Sequence, residues 1–217
     1  MNAAEPIRRG AGGRPPLSRK GDVEERLLDA ATRLFLASGF EGTSCDQVAQ
    51  DARAGKASIY ARYANKTALL VAVIEYKLGR LLEADLPSAD GGAPLRERML
   101  DAADSVVERL LQPDAVALLR LVVAEAPRLQ AGALDAAAIL DRMGIRHIAR
   151  AIAAHRDADA AAAAAAPASA LADMVWAPAL LRALLGADLD ALRQVARAGV
   201  AAAVDTLLAS GALDGWA

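Results

Sequence analysis

Residues 27–70 decide the fold, and they read LLDAATRLFLASGFEGTSCDQVAQDARAGKASIYARYANKTALL. Their first apolar residues recur at the spacing of one helical face: Leu27, Ala30, Ala31, Leu34 and Phe35. Gly39 is predicted to end this helix, because glycine adopts a left-handed backbone at a helix C-terminus without steric cost. Asp22 is predicted to begin it, with Glu25 three residues later as in a capping box.

Two short helices and a tight turn are predicted next. The first begins at Thr43 or Ser44, since each has a capping partner three residues later, and it ends near Ala52. The second covers residues 56–62, and Asn65 then caps a longer helix over residues 66–83. Two short helices at this spacing are typical of a helix-turn-helix, whose second helix enters the DNA major groove.

The composition of the 217-residue chain favours helix throughout. Hydrophobic residues make up 55% of it, mostly Ala and Leu, and aromatic residues only 3%. Ala and Leu lose little entropy in a helix, whereas aromatic and β-branched residues favour strands. The fold class is therefore predicted as all-α with about nine helices.

Proline and glycine divide the second half of the chain. Residues 87–94 hold two of each and form the clearest break. The helices expected beyond it cover residues 95–111, 114–125, 131–155, 168–185 and 188–209. Pro113, Pro127 and Pro167 separate them, and Pro178 is expected to kink the helix that contains it. The alanine-rich residues 158–166 are interpreted as a linker or a frayed helix end.

Charge is distributed unevenly along the chain. Residues 1–66 carry 11 Lys and Arg against 8 Asp and Glu, whereas residues 67–217 carry 14 against 19. A basic arm before an acidic body favours a polyanionic partner at the N-terminal end. Residues 1–21 are expected to be disordered, either as that arm or as a plain solvated leader.

Several other function classes find no support in the sequence. The single Cys45 excludes an intrachain disulfide, and His147 and His155 are too few for a histidine-based metal cluster. The chain has no phosphate loop, zinc-protease motif or nucleophile elbow, so we expect neither an enzyme nor a cofactor. Without an apolar secretory core or a bilayer-spanning run, we expect no membrane association and a cytoplasmic location.

The quoted stretch resembles the DNA-binding domain of the TetR family of bacterial regulators. The landmarks are Ala30-Ala31-Thr-Arg-Leu34-Phe35, Gly39-Phe40, Thr43-Ser44, Val48-Ala49, Lys56-Ala-Ser58-Ile59-Tyr60 and Tyr63-Ala-Asn-Lys66. They match over about 45 residues without a gap. The turn departs from the family, because Arg53 stands in place of the usual glycine and Gly55 in place of the helix-capping serine. We therefore expect a strained Arg53 or a slightly altered turn.

The resemblance, together with side-chain chemistry, implies a set of DNA contacts. Base edges are assigned to Lys56, Ala57, Ser58 and Arg62. Phosphates are assigned to Thr43, Ser44, Tyr60 and Lys66. Gly12-Gly13-Arg14-Pro15-Pro16 resembles the core of a minor-groove arm, with Arg14 as the inserted residue.

A second interpretation is open for three residues of the helix-turn-helix region. Tyr60 and Tyr63 either contact DNA or pack the small domain, and packing is preferred for Tyr63. Cys45 lies at an apolar position of the second helix, so packing is preferred over redox sensing.

The C-terminal half is interpreted as a sensing and dimerisation domain. Its segments LLRLVVAEAPRL (118–129) and LLRALLG (180–186) resemble the AefR-like subgroup of the family, whose last two long helices pair with those of a second subunit. Eleven apolar residues of these helices exceed the needs of one small core: Leu180, Leu181, Leu184, Leu185, Leu189, Leu192, Val195, Val200, Val204, Leu207 and Leu208. An inducer pocket is expected near Met99, Met143, His147 and Trp176, although each can equally be an ordinary core residue.

The sequence therefore predicts three regions: a disordered basic arm (1–21), a helix-turn-helix DNA-binding domain (22–66) and a helical ligand-binding and dimerisation domain (67–217). The implied function is a homodimeric transcriptional repressor. It binds a palindromic double-stranded DNA operator and is released by a small apolar or amphipathic inducer. The alternative is a helical ligand-binding or interaction protein that has lost DNA binding.

Overall fold

The computed structural model describes residues 17–83, 92–129, 144–154 and 156–216, and these contain helices and no strands. The all-α prediction is therefore confirmed. The order along the chain is α1 (Leu17–Ser38), α2 (Cys45–Asp51), α3 (Lys56–Tyr60), α4 (Lys66–Glu83), α5 (Leu95–Leu110), α6 (Pro113–Glu125), a 3₁₀ turn (Ala126–Arg128), α7 (Arg146–Ala153), α8 (Ala158–Ala163), α9 (Ala165–Met174), α10 (Trp176–Leu184) and α11 (Leu189–Ala209). Three expected features lie wholly or mostly outside the described residues: most of the arm, residues 87–91 of the expected break and most of the helix expected at 131–155.

The predicted start of α1 is wrong. The helix begins at Leu17, directly after Pro16, so Asp22 lies inside it and is no N-cap. An interior glycine such as Gly21 costs only about 1 kcal/mol relative to alanine, which is too little to stop a helix that the preceding residues can extend. Its end is as predicted: Gly39 has φ of +71° and its N–H donates to the carbonyl of Phe35 (3.0 Å).

The alanine-rich segment forms helix rather than a linker. Asp157 caps α8 by accepting a hydrogen bond from the N–H of Ala160 (2.9 Å), and α9 follows almost at once. Pro167 lies within the first turn of α9, and the residue four before it, Ala163, ends α8, so the break between the two helices falls at Ala164.

The predicted kink at Pro178 occurs three residues earlier, at Val175. The two helical stretches there, Ala158–Met174 and Trp176–Leu184, are bent by 42°. A proline ring clashes with the carbonyl four residues before it, which here belongs to Met174. The disruption therefore appears at the end of α9, one turn before the proline itself.

Two hydrophobic cores organise the molecule. The N-terminal core joins α1–α4 around Phe35, Ile59 and Leu70, and the C-terminal core joins α5, α7 and α9–α11 around Met99, Ile152 and Leu171. Helix α6 belongs to both. Its Leu118 and Leu121 pack in the N-terminal core, and its Val116 and Leu119 pack in the C-terminal one. A shift of α6 therefore moves side chains in both cores.

The eleven apolar residues expected at a subunit interface divide among three environments, and three of them are half-buried against the C-terminal core: Leu184, Leu189 and Leu208. Leu180, Leu192, Val200, Val204 and Leu207 are buried in the C-terminal core of the single chain. The expectation that they exceed the needs of that core is wrong for these five, because α5 and α9 cover the face that they share. Leu181, Leu185 and Val195 remain largely exposed.

Candidate nucleic-acid interface

The start of α2 is fixed by a complete capping box. The Ser44 hydroxyl accepts a hydrogen bond from the N–H of Gln47 (3.2 Å), and the Gln47 carboxamide oxygen accepts one from the N–H of Ser44 (2.8 Å). Both side chains are exposed. Of the two predicted starting residues, Ser44 is therefore the N-cap.

The turn between α2 and α3 has the strain that the sequence predicted. Arg53 has φ of +50°, in the left-handed region that favours glycine. The N–H of Ala54 donates to the carbonyl of Ala49 (2.8 Å), which closes the end of α2. Gly55 is the N-cap of α3 with an extended backbone (φ −70°, ψ 146°), so the turn of a helix-turn-helix is kept.

Helix α3 has one buried face and one exposed face. Ile59 is completely buried against the N-terminal core, which fixes the rotation of the helix. Lys56, Ala57 and Tyr60 point to solvent, and Ser58 is half-buried beside them. These predicted DNA contacts therefore form one continuous surface, which we call the α3 face and define as Lys56, Ala57, Ser58 and Tyr60.

Arg62 lies just beyond α3 and closes its C-terminal end. Its guanidinium donates to the carbonyl of Ser58 (2.8 Å), so the side chain folds back along the helix. An arginine has five N–H donors, and this bond leaves others for a base edge or a phosphate.

Asp46 of α2 binds two side chains of the α3 face. Its Oδ2 accepts a hydrogen bond from Lys56 Nζ (2.6 Å), and its Oδ1 lies 3.5 Å from the Tyr60 hydroxyl. The hydrogen bond to Asp46 raises the pKa of Lys56, and the charge of Asp46 raises the pKa of Tyr60. The sequence alone indicates Asp46 only as a capping partner of Thr43. Its spacing of ten residues from Lys56 gives no signal of this contact without the geometry of the turn.

Two residues predicted to contact phosphate also make contacts within the domain. Thr43 is only 3% exposed and its hydroxyl donates to the carbonyl of Gly39 (2.9 Å), so it fixes the turn before α2. Lys66 donates from Nζ to the carbonyl of Phe40 (2.8 Å), lies 4.4 Å from the centre of the Phe40 ring and is 3.6 Å from Glu41. Its ammonium therefore ties the start of α4 to the loop after α1.

Tyr63 and Cys45 pack inside the domain, in line with the preferred interpretation. Burial raises the pKa of both the Tyr63 phenol and the Cys45 thiol. A thiol with a raised pKa is a poor nucleophile at neutral pH, which disfavours redox sensing by Cys45.

Ion pairs fasten α4 to α1 behind the α3 face. Lys77 binds Asp29 (2.7 Å), and Arg80 binds both Glu25 (2.7 Å) and the Tyr76 hydroxyl (2.8 Å). A cleft of about 550 Å³ opens beside these pairs, between α1, α4 and α6. Its lining residues are Asp29, Thr32, Arg33, Leu36, Lys77, Arg80, Asp114 and Leu118. The cleft therefore lies where the two cores meet.

The four residues predicted to line the inducer pocket fall into three groups: two are buried, one is half-buried and one lies outside the described residues. Met99 and Trp176 are buried in the C-terminal core. His147 is half-buried, and its Nε2 has no hydrogen-bond partner among the described residues. Burial, assisted by the charges of Arg109 and Arg150, lowers the pKa of His147 to about 4. Met143, like Arg14, lies outside the described residues.

Neither a metal site nor a simple membrane span was found in the described segments. No group of three or more His, Cys, Asp or Glu side chains there has the arrangement of a metal site. No single helix in these segments has both the length and the apolar composition to cross a membrane, and only the bent pair of helical stretches, 158–174 and 176–184, meets that test jointly.

The class of protein follows from the fold and this interface: an N-terminal helix-turn-helix domain attached to a helical C-terminal domain. Residues 27–73 match the family of "bacterial regulatory proteins, tetR family". Over 56 residues the chain is 39% identical to the HTH-type transcriptional repressor SCO4008 of Streptomyces coelicolor. That match covers 26% of this chain and 29% of the relative, so the chain spans less than a third of that relative's length.

Solved structures match over most of the chain. A structure from Mesorhizobium loti that is assigned to the TetR family has a TM-score of 0.65 at 20% identity, covering 87% of this chain and 98% of the other. The flavonoid-responsive regulator FrrA has a TM-score of 0.61 at 27% identity, covering 86% and 97%. Residues 27–73 are thus similar to the TetR family's DNA-binding domain, and the described residues have the fold of these solved structures.

Proposed function

We propose that the protein is a homodimeric transcriptional repressor that binds a palindromic operator in double-stranded DNA. The α3 face carries this proposal, because a TetR-family domain presents Lys56, Ala57 and Tyr60 outward on a helix locked in place by Ile59. Two copies of α3, about 34–36 Å apart in a twofold dimer, would enter successive major grooves. The dimer itself is supported by the exposed Leu181, Leu185 and Val195.

The contacts divide into those that read bases and those that hold phosphates. Lys56, Ser58 and Arg62 supply donors for base edges, and the Ala57 methyl suits a thymine methyl. Ser44 and Tyr60 are exposed beside the N-terminus of α2 and supply phosphate contacts. Lys66 contributes by holding the first turn of α4 against Phe40, and Arg14 enters the minor groove from the arm.

Release is proposed to follow the binding of an apolar or amphipathic ligand in the C-terminal domain. The Nε2 of His147 offers one polar anchor beside a mostly aliphatic core. The description of FrrA as flavonoid-responsive supports a ligand of this amphipathic kind.

Movement of α6 would act on α4, which is fastened to α1 through Lys77 and Arg80. The ligand releases the protein only if its affinity differs between the DNA-bound and DNA-free arrangements. Assignment to the AefR-like subgroup remains a prediction from residues 118–129 and 180–186.

The experiment is footprinting of the purified protein on the DNA that flanks its own gene, followed by titration of the protected site. We expect Ser58→Asn to change which sequences are preferred, because Ser58 faces base edges. Tyr60→Phe should weaken all sequences alike by about 1 kcal/mol, roughly fivefold in Kd, because it removes a phosphate contact. An intact dimer that retards no duplex at low salt would contradict the proposal and favour the interaction protein.

The inducer is tested on the same protected fragment. A flavonoid and a medium-chain fatty acid are compared as probes for release, with His147→Gln as the variant. Release that is weakened in this variant supports the proposed pocket. Release that is unchanged places the ligand elsewhere, and the cleft beside Arg80 is then the next candidate.

A further inference from the structure

The contact between Asp46 and the α3 face has a consequence for DNA affinity. Asp46 lies in the first turn of α2, and its carboxylate joins Lys56 and Tyr60, which are one turn apart on α3. These are two of the residues to which DNA contacts are assigned. In the free protein, the Asp46 carboxylate therefore lies beside Lys56 and Tyr60, where an anionic oxygen of DNA would otherwise bind.

We propose that Asp46 is an internal competitor for the DNA backbone, which suppresses binding to DNA of arbitrary sequence. This inference rests on the proposed DNA-binding function. A phosphate that approaches Lys56 meets a cation already neutralised by Asp46 at 2.6 Å, and it also meets the negative charge of Asp46. The pair therefore gains little from an additional phosphate.

A base edge is affected less than a phosphate. The acceptors N7 and O6 of guanine carry no formal charge, so Asp46 does not repel them as it repels a phosphate. A lysine ammonium has three N–H donors. Lys56 can therefore keep its hydrogen bond to Asp46 while another N–H donates to such an acceptor. Asp46 thereby penalises non-specific binding more than operator binding, and it raises the ratio between the two affinities.

Salt dependence provides the direct test. Each phosphate neutralised by a protein cation contributes about −0.9 to the slope of log K against log salt concentration. Asp46→Asn frees the charge of Lys56. The slope for a fluorescent duplex of random sequence should therefore steepen by about 0.9 between roughly 50 and 200 mM salt, with a gain in affinity on the order of fivefold at 100 mM.

Asp51→Asn is the matched control. Asp51 lies on the same helix and is paired with Arg33 at 2.6 Å, and its side chain is 44% exposed against 47% for Asp46. Asp51→Asn makes the same change in net charge, but the partner that it loses, Arg33, lies on α1 and not on α3. We expect it to leave the slope nearly unchanged. In a Lys56→Gln background, Asp46→Asn should lose most of its effect on the slope.

The outcomes separate this inference from the proposed function. Operator binding by the unmodified protein together with equal slopes for Asp46→Asn and Asp51→Asn would overturn the inference and leave the function standing. Steepening by Asp46→Asn that persists without Lys56 would also overturn it. Absence of DNA binding by the unmodified protein and by Asp46→Asn would overturn both. Operator binding by the unmodified protein, together with a slope that steepens only in Asp46→Asn and only with Lys56 present, supports both.

Discussion

At the scale of single residues, Arg53 has the backbone of a glycine. Its φ of +50° follows from the tight turn that α2 and α3 require, and the family resemblance located this strain at the correct residue. The turn tolerates it because hydrogen bonds from Arg53 and Ala54 to the end of α2 hold the backbone in place.

Arg53→Gly is expected to stabilise the protein. The left-handed backbone costs a non-glycine residue about 1–2 kcal/mol, and the greater entropy of glycine in the unfolded chain offsets part of the gain. We expect a net gain of about 0.5–1 kcal/mol in the free energy of unfolding, measured by denaturant titration. Ala61→Gly is the control, because Ala61 has φ of −70° and glycine should destabilise there. Equal effects of the two substitutions would contradict the explanation.

His147 makes stability depend on pH. Its folded pKa of about 4 lies below its ordinary value of 6.5, so the unfolded chain binds more protons between these values. The contribution of neutral His147 is therefore fully present above pH 6.5 and is lost as pH falls toward 4. Carboxylates titrate in the same range, so the comparison is between the protein and His147→Gln. The loss of stability from pH 7 to 4 should be smaller in the variant, measured by thermal unfolding. Parallel pH profiles for both proteins would show that His147 is not responsible.

At the scale of elements, two predicted N-caps are present in the structure. Ser44 caps α2 and Asn65 caps α4, because capping depends only on neighbours within one turn. The helix at 158–163 was missed because alanine-rich sequence was interpreted as a linker or frayed end. Its residues are exposed or half-buried, and the Asp157 cap with the high helix propensity of alanine accounts for it.

The cap of α11 provides a test at this scale. The Asp188 carboxylate accepts a hydrogen bond from the N–H of Ala191 (2.8 Å). Asp188→Ala should lower stability by about 1 kcal/mol, which corresponds to roughly 2–4 °C in Tm. Asp188→Asn preserves the acceptor and should lose much less. A loss of equal size in both variants would indicate that the charge, and not the cap, is responsible.

At the scale of the whole molecule, the remaining apolar surface suggests where a second copy binds. Leu185 is 81% exposed, and Leu181 and Val195 are each 60% exposed on α10 and α11. These helices close the C-terminal core with their other faces, so the exposed side chains are available to a twofold partner.

Charges on this surface should separate the proposed dimer. We expect Leu181→Arg combined with Val195→Arg to give the mass of one chain by light scattering. The double variant should also lose operator binding, because the two DNA-binding domains are then no longer joined in one molecule. Val123→Arg is the control. Val123 on α6 is also 60% exposed but lies outside that surface. A double variant that remains dimeric, or a control that dissociates equally, would contradict the proposed interface.

The sequence by itself determined the all-helical fold, the helix-turn-helix and the identity of the outward α3 residues. These depend on local spacing, capping and a 45-residue resemblance, all of which can be read from neighbouring residues. Only the tertiary structure decided that Thr43 and Lys66 hold turns, that Met99 and Trp176 are core, and that Asp46 binds Lys56. The physical reason is that burial and ion pairing depend on which helices pack together. Helical periodicity predicts which face of a helix is apolar, but it does not predict which other helix that face contacts.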